Sequence, residues 1–314
     1  MYRIGIDLGG TNIAVGIVDD EYRILGEAQA PTPVRDGAGA VMGQIARCTA
    51  EACAAAGIAL SDCAGAGLGA PGTCDTARGF VRNAHNLGWD GVSVTQPLHA
   101  ALGCPVFLGN DADCAALGEV VAGAAKGCDS ALLITLGTGI GGGFVLNGKI
   151  LNGAHGVAGE IGHLTINRDE QEFCTCGRRG CAEQYASARS VARIARKRLA
   201  KDERPSLLKS IPFLTAKDVF ECASQGDSLA TEILEDTYTV LGETIADACC
   251  MIDPELVVVG GGMSKAGQVL LDGIEPKFKK FMFHACKDTK FALATLGNDA
   301  GIYGGFRLIA GKTE

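Results

Sequence analysis

Two short apolar runs open the chain, Arg3-Ile4-Gly5-Ile6-Asp7-Leu8 and Ile13-Ala14-Val15-Gly16-Ile17-Val18, joined by Gly9-Gly10-Thr11-Asn12. This pattern predicts a β-hairpin rather than a strand leading into a helix. Helix-period spacing follows over about 37–57 and 112–126, with strands near 64–70 and 104–109, the alternation of an α/β fold. A second strand, glycine turn, strand unit fills 131–146, so the opening motif is repeated once in each half. Helical spacing returns at about 187–201, at about 215–225 and from Ser228 to Met251. Beyond Asp253-Pro254 a strand, Leu256-Val257-Val258-Val259, runs through Gly260-Gly261-Gly262-Met263-Ser264 into a helix, and about 298–310 reads as a closing helix. No low-complexity linker interrupts the chain, so two halves meeting through a hinge are expected.

The second glycine turn mimics two nucleotide motifs. Gly137-Thr138-Gly139-Ile140-Gly141-Gly142 matches G-x-G-x-x-G, but a dinucleotide fold needs a helix next. Here Gly143-Phe144-Val145-Leu146 continues as strand to an Asn147-Gly148 turn. The stretch from Gly143 to Lys149 resembles a P-loop, yet Ile150 stands where the metal-binding Ser or Thr is required. What remains is a pair of glycine-rich hairpin turns whose backbone N–H groups can line an anion site. Asp7 supplies an acid able to hold Mg²⁺.

The densest chemistry lies between His155 and Glu183. Cys174, Cys176 and Cys181 follow a C-x-C-x4-C order, with His163 ten intervening residues upstream. Three thiols and an imidazole form the donor set of a closed tetrahedral Zn²⁺ site, read here as a structural zinc knot. His155 is the rival ligand by spacing and ranks as a loop or surface residue. Glu160 and Glu183 flank the ligands and are harder donors than the metal needs, which leaves them for a polar substrate.

Composition narrows the partner class. A formal net charge of −8 leaves no footprint for nucleic acid, and a small molecule is expected instead. The basic stretch from Arg193 to Lys201 keeps helical apolar spacing and reads as a solvated face. Forty-five glycines, about twice the usual share, point to tight turns and close backbone approach. With fourteen cysteines, no leader pattern and no apolar run of membrane-spanning length, a cytoplasmic chain with reduced thiols and no membrane contact is expected. Cys48, Cys53, Cys63, Cys249 and Cys250 lie in helical or apolar contexts and are expected to pack as small hydrophobes.

The Asp7-Leu8-Gly9-Gly10-Thr11 hairpin, the Leu136-Gly137-Thr138-Gly139 hairpin and the Val259-Gly260-Gly261-Gly262 turn resemble the two phosphate loops and the adenosine loop of the actin, hexokinase and heat-shock-chaperone ATPases. Glu160-x-x-His163 with Cys-x-Cys-Gly-x-x-Gly-Cys-x-Glu at 174–183 resembles the hallmark of one branch, the ROK family of sugar kinases and repressors. The resemblance covers essentially the whole chain. It implies a two-lobed α/β fold of the ribonuclease H-like, actin/hexokinase type, with a duplicated βββαβα core and a zinc-binding insertion. A small lobe is expected at 1–111 plus 299–314 and a large lobe carrying the zinc motif at 112–298.

Carried over by residue, the resemblance makes Asp111 the catalytic base, accepting the proton of the attacking sugar hydroxyl. Asp111 as a plain helix N-cap is the competing reading. Asn110 is implied as the neighbouring sugar ligand. Glu160, His163 and Glu183 are implied as hydroxyl ligands, with weaker matches at Gly72 and Asn86. His163 also belongs to the zinc set with Cys174, Cys176 and Cys181, since one ring nitrogen can bind metal while the other hydrogen-bonds. ATP with Mg²⁺ is expected at Asp7, Gly9, Gly10, Thr11 and Asn12 and at Gly137, Thr138 and Gly139, with adenine near Gly261 and Gly262. The implied activity is phosphorylation of glucose at its 6-hydroxyl by a homodimer whose lobes close to exclude water. The Asn86-Leu87-x-Trp89 segment favours glucose over N-acetylmannosamine, N-acetylglucosamine, fructose or allose. A sugar-sensing regulator without a DNA-binding domain is the reading from another class.

Overall fold

A computed structural model describes residues 1–310, Ala310 by its backbone alone; positions 311–314 lie outside the described residues. The chain divides into two compact units. Met1–Ala131, Gly143–Gly159 and the residues from Thr295 onward form the first, and Leu132–Gly142 with Glu160–Ala294 the second.

The first unit is built on a five-stranded sheet. Strands β1 (Tyr2–Leu8), β2 (Asn12–Val18) and β3 (Ile24–Pro31) form an antiparallel meander. After helix α1 (Ala38–Ala56), β4 (Cys63–Ala70) pairs parallel with β1. A small antiparallel sheet follows, of β5 (Thr73–Asp75), β6 (Phe80–Ala84) and β7 (Trp89–Ser93), then helix α2 (Thr95–Leu102). Strand β8 (Val106–Asn110) joins β4 in parallel and leads into α3 (Asp111–Val121), giving the order β3-β2-β1-β4-β8.

The opening hairpin is as the sequence predicts, whereas β3 carries no apolar run to announce it. Its residues alternate between half-buried and exposed, as suits an edge strand.

Strands β9 (Ser130–Leu136) and β10 (Ile140–Leu146) run from one unit into the other, and β11 (Lys149–Ile150) follows. The second unit then holds helices α4 (Glu183–Ala186), α5 (Ala188–Leu199), α6 (Ala216–Ser224) and α7 (Ser228–Ile252), strand β12 (Leu256–Gly260), helix α8 (Gln268–Phe281) and strand β13 (Lys290–Leu293). The second sheet has the order β11-β10-β9-β12-β13. With β9 matched to β1 and β12 to β4, it repeats the order of the first, so the duplication read from the two hairpins is present. Asn147 and Gly148 both have positive φ, 50° and 66°, as a two-residue turn between β10 and β11 demands. Neither nucleotide motif mimicked by this stretch is therefore built.

Helix α9 (Ala300–Ala310) returns to the first unit and packs on β1, β4 and α3. Ile302, Phe306 and Ile309 are fully buried there, each contributing about 1.5–3 kcal/mol. The approach is close enough that a Cβ on Gly67 would lie 1.9 Å from the Gly305 carbonyl oxygen. Because α3 packs along α9, its residues 112–121 fall in the first unit, where a large lobe beginning at 112 was expected.

Candidate active site

In the first unit the functional side chains sit at the ends of β1 and β8. Asp7, the penultimate residue of β1, has its carboxyl pushed up to about 6 by burial and by the neighbouring charge of Asp111. Two carboxylates close enough to disfavour one another form an environment that a divalent cation would relieve. Asp111 is the first residue of α3, and the cap is its neighbour: Asn110 Oδ1 accepts from the backbone N–H of Ala112 at 2.8 Å and of Asp113 at 3.3 Å. The competing reading of Asp111 as the N-cap therefore gives way, although its Oδ1 also accepts from Ala112 N at 2.9 Å.

Asn110 is more committed than a simple sugar ligand would be. Its Nδ2 donates to the Gly72 carbonyl at 2.9 Å, so one amide caps α3 and ties down the turn after β4. Gly72 has φ of +86°, and its role here is to shape that turn. Asn86 is exposed and lies beside Gly10, where a Cβ would meet its Nδ2 at 3.1 Å. The first glycine turn is closed by Gly9 N donating to Asn12 O at 2.8 Å and braced by Thr32 Oγ1 donating to Gly9 O at 2.8 Å. Thr11 and Asn12 are exposed on it.

In the second unit the glycine turn at 137–139 is joined to the cysteine segment through Glu183. This residue opens α4; its Oε2 accepts from Ile140 N at 3.0 Å and its Oε1 from Thr175 Oγ1 at 2.9 Å. Gly139 must be bare for this to occur, since a Cβ there would lie 2.3 Å from Glu183 Oε2. Ala188 N donates to Gly137 O at 2.9 Å, fixing the start of α5 to the same turn. Thr138 is exposed at its tip.

The metal-ligating atoms of His163, Cys174, Cys176 and Cys181 all lie within 4.8 Å of one another. Cys176 Sγ and Cys181 Sγ are 3.6 Å apart, and Cys174 Sγ is 3.7 Å from His163 Nδ1. A tetrahedron with zinc–sulfur bonds of about 2.3 Å has edges of about 3.8 Å, so the donor set fits that ion. Burial pushes the Cys181 thiol up to about 12, with the Cys176 hydrogen bond adding to the shift. Cys176 is held below the usual thiol range: burial works against this, but hydrogen bonds from Arg178 N and the other two thiols prevail.

With Nδ1 turned to the cysteines, His163 Nε2 faces Glu160 Oε2 at 3.9 Å. The two ring nitrogens thus point to two different tasks. His155 is exposed and outside this cluster.

A 710 Å³ cavity in the second unit adjoins Gly262, lined by Met263, Ala266, Thr215, Ala216 and Phe220 among others. Gly261, next to Gly262 in the chain, has φ of +82°. Phe220 and Thr215 carry no motif that sequence reading could have picked out, because α6 reaches the cavity only through the fold. Elsewhere Cys48, Cys53, Cys63 and Cys249 are buried as expected, while Cys250 is exposed because it falls on the outer side of α7.

The chain matches the family model described as "ROK family" over residues 3–312. It is 39% identical to a glucokinase of Halalkalibacterium halodurans over 312 residues, 98% of this chain and 94% of the relative. Among solved structures, the ROK hexokinase of Thermus thermophilus superposes with a TM-score of 0.87 at 33% identity, over 100% of this chain and 99% of that one. A ROK family glucokinase from Streptomyces griseus in complex with glucose and AMPPNP gives 0.80 at 34% identity, over 97% and 98% of the two chains. The repeated sheet, the cysteine cluster and these end-to-end similarities converge on one assignment: the chain belongs to the ROK family and has its actin- and hexokinase-like fold.

Proposed function

We propose that the chain is an ATP-dependent sugar kinase that transfers the γ-phosphoryl group to the 6-hydroxyl of glucose. The observation that carries the chemistry is the pairing of Asp111 with Asp7 in the first unit, at the ends of β1 and β8, the two strands that flank β4 in one sheet. Asp111 takes the proton of the hydroxyl as it attacks phosphorus. Asp7 holds Mg²⁺, which when bound would neutralise charge on the phosphates. The turns at Gly9-Gly10-Thr11-Asn12 and Gly137-Thr138-Gly139 offer N–H donors to the phosphates, and the cavity beside Gly261 and Gly262 takes the adenine.

Glu160 and Glu183 accept from sugar hydroxyls and the Nε2–H of His163 donates to one, with Asn110, Gly72 and Asn86 contributing contacts as far as their structural duties leave atoms available. Zinc held by His163, Cys174, Cys176 and Cys181 orients the His163 ring, and with it a substrate ligand. A cytoplasmic homodimer is part of the proposal; among the described residues no two cysteines form a disulfide, which suits a reducing compartment.

The preference for glucose rests on the glucokinases at whole-chain similarity. Measuring ADP release over glucose, mannose, fructose, allose, N-acetylglucosamine and N-acetylmannosamine tests it. The highest kcat/KM is expected for glucose. A higher value for an N-acetylhexosamine would replace the substrate while keeping the reaction, and no sugar-dependent ADP release at all would overturn the kinase reading.

A further inference from the structure

We infer that Thr175 is a positioning residue for sugar binding, setting the plane of the Glu183 carboxylate from the side opposite the glycine turn. The inference rests on the reading of Glu183 as a sugar-hydroxyl ligand and adds the group that aims it.

A carboxylate turns easily about its last side-chain bond, where the torsional wells are broad, and one hydrogen bond leaves that rotation loosely restrained. Glu183 receives two from nitrogen and oxygen donors, in different parts of the fold, beside a long contact of 3.9 Å from Cys174 Sγ to Oε1. Ile140 N reaches Oε2 at 3.0 Å from the exit of the glycine turn, and Thr175 Oγ1 reaches Oε1 at 2.9 Å from the cysteine loop. A donor on each oxygen fixes the carboxylate plane, and with it the direction of the lone pairs left for a ligand.

The loop that delivers Thr175 is itself well defined. Cys174 N donates to Arg178 O at 2.7 Å, Gly177 N donates to Cys174 O at 2.9 Å, and Arg178 reaches back to Thr165 Oγ1 at 2.8 Å. Thr175 stands between two of the candidate metal ligands, and its β-branched side chain has few rotamers, so the loop hands its hydroxyl to Glu183 in one direction. The residue is exposed and fills no core. Its hydroxyl donates to Glu183 at 2.9 Å and otherwise touches Cys174 Sγ at a long 3.8 Å. A purely structural role would therefore leave little to lose on its replacement.

The test compares Thr175→Val, which keeps the shape and removes the donor, with Thr175→Ser, which keeps the donor, and with Glu183→Gln as reference. For Thr175→Val the glucose KM is expected to rise about tenfold, the worth of one hydrogen bond to a charged group at a partly open site. Turnover should stay within about twofold, and ATP KM, zinc content and melting temperature should be unchanged. Thr175→Ser should restore the wild-type KM.

An unchanged glucose KM in Thr175→Val, beside a raised one in Glu183→Gln, overturns the positioning role and leaves Glu183 a sugar ligand. A rise in KM accompanied by loss of zinc also overturns it, since the loop rather than the hydroxyl would then be responsible. If Glu183→Gln itself leaves glucose KM unchanged, the underlying reading of Glu183 fails.

Discussion

The carboxylate of Asp7 rests against Gly301, so near that a Cβ at position 301 would come within 2.5 Å of Asp7 Cγ. Gly301 cannot back away, because α9 is seated on the sheet through its own backbone. Gly301→Ala should therefore push the carboxylate aside. A displacement of about 1 Å in a catalytic constellation is worth about 10²-fold in rate. Turnover at saturating glucose and ATP, titrated against Mg²⁺, should show that loss with a raised Mg²⁺ requirement. Wild-type Mg²⁺ dependence would show that Asp7 tolerates the move.

The raised pKa of Asp7 gives a signed prediction for stability. Its folded value is about 6 against an ordinary value of 3.8, so its contribution is intact below pH 3.8 and is lost as pH rises through about 6. In metal-free, nucleotide-free protein Asp7→Asn should then stabilise the fold, by at most about 3 kcal/mol at pH 8. The gain at pH 5 should be smaller by roughly 1–1.5 kcal/mol. Urea unfolding at the two pH values measures the difference, and equal gains would place the destabilisation elsewhere. The same variant should lose Mg²⁺-dependent activity.

Asp111 and its neighbour can be separated by experiment. Asp111→Asn retains shape but cannot take up a proton, so kcat should fall about 10²–10⁴-fold with much less effect on glucose affinity. Melting temperature should hold, because the cap of α3 belongs to Asn110. Asn110→Ala should instead cost about 1 kcal/mol or more of stability, losing both the cap and the tether to Gly72. A near-normal rate in Asp111→Asn would remove the central residue from the mechanism.

Metal analysis of purified protein should find one zinc per chain. Cys176→Ser, or chelation, should release it, loosen the segment from Glu160 to Glu183 and raise glucose KM together with a lower melting temperature. Metal-free protein with full activity and an unchanged melting curve would mean that the four residues cluster without an ion.

How much of this was legible beforehand depended on sequence distance. The hairpins, the repeat and the Cys174-to-Cys181 cluster are local patterns whose spacing carries their meaning. The bond from Ile140 to Glu183 spans 43 residues, and no spacing rule foretells it. Asn110 capping α3 in place of Asp111 turns on a one-residue boundary, the part of a helix that pattern reading fixes least well. The strands β5, β6 and β7 are too short and too mixed in polarity to stand out, and the eight-residue α2 carries Pro97 in its first turn. Cys250 follows Cys249 directly, yet adjacent helical positions point about 100° apart, and the two side chains separate into interior and solvent.

The seating of α9 on β1, β4 and α3 also bears on the order in which the molecule can be made. Synthesis delivers the sheet of the first unit early, but the helix that covers one of its faces is translated after every other described element. Until Ile302, Phe306 and Ile309 have left the ribosome, the surface around Gly5, Gly16 and Gly67 has no cover, and the second unit has all of its strands and helices before the first is closed. A nascent chain of this kind passes through a stage in which its first-made half is its less finished one, the interval in which a chaperone has most to bind.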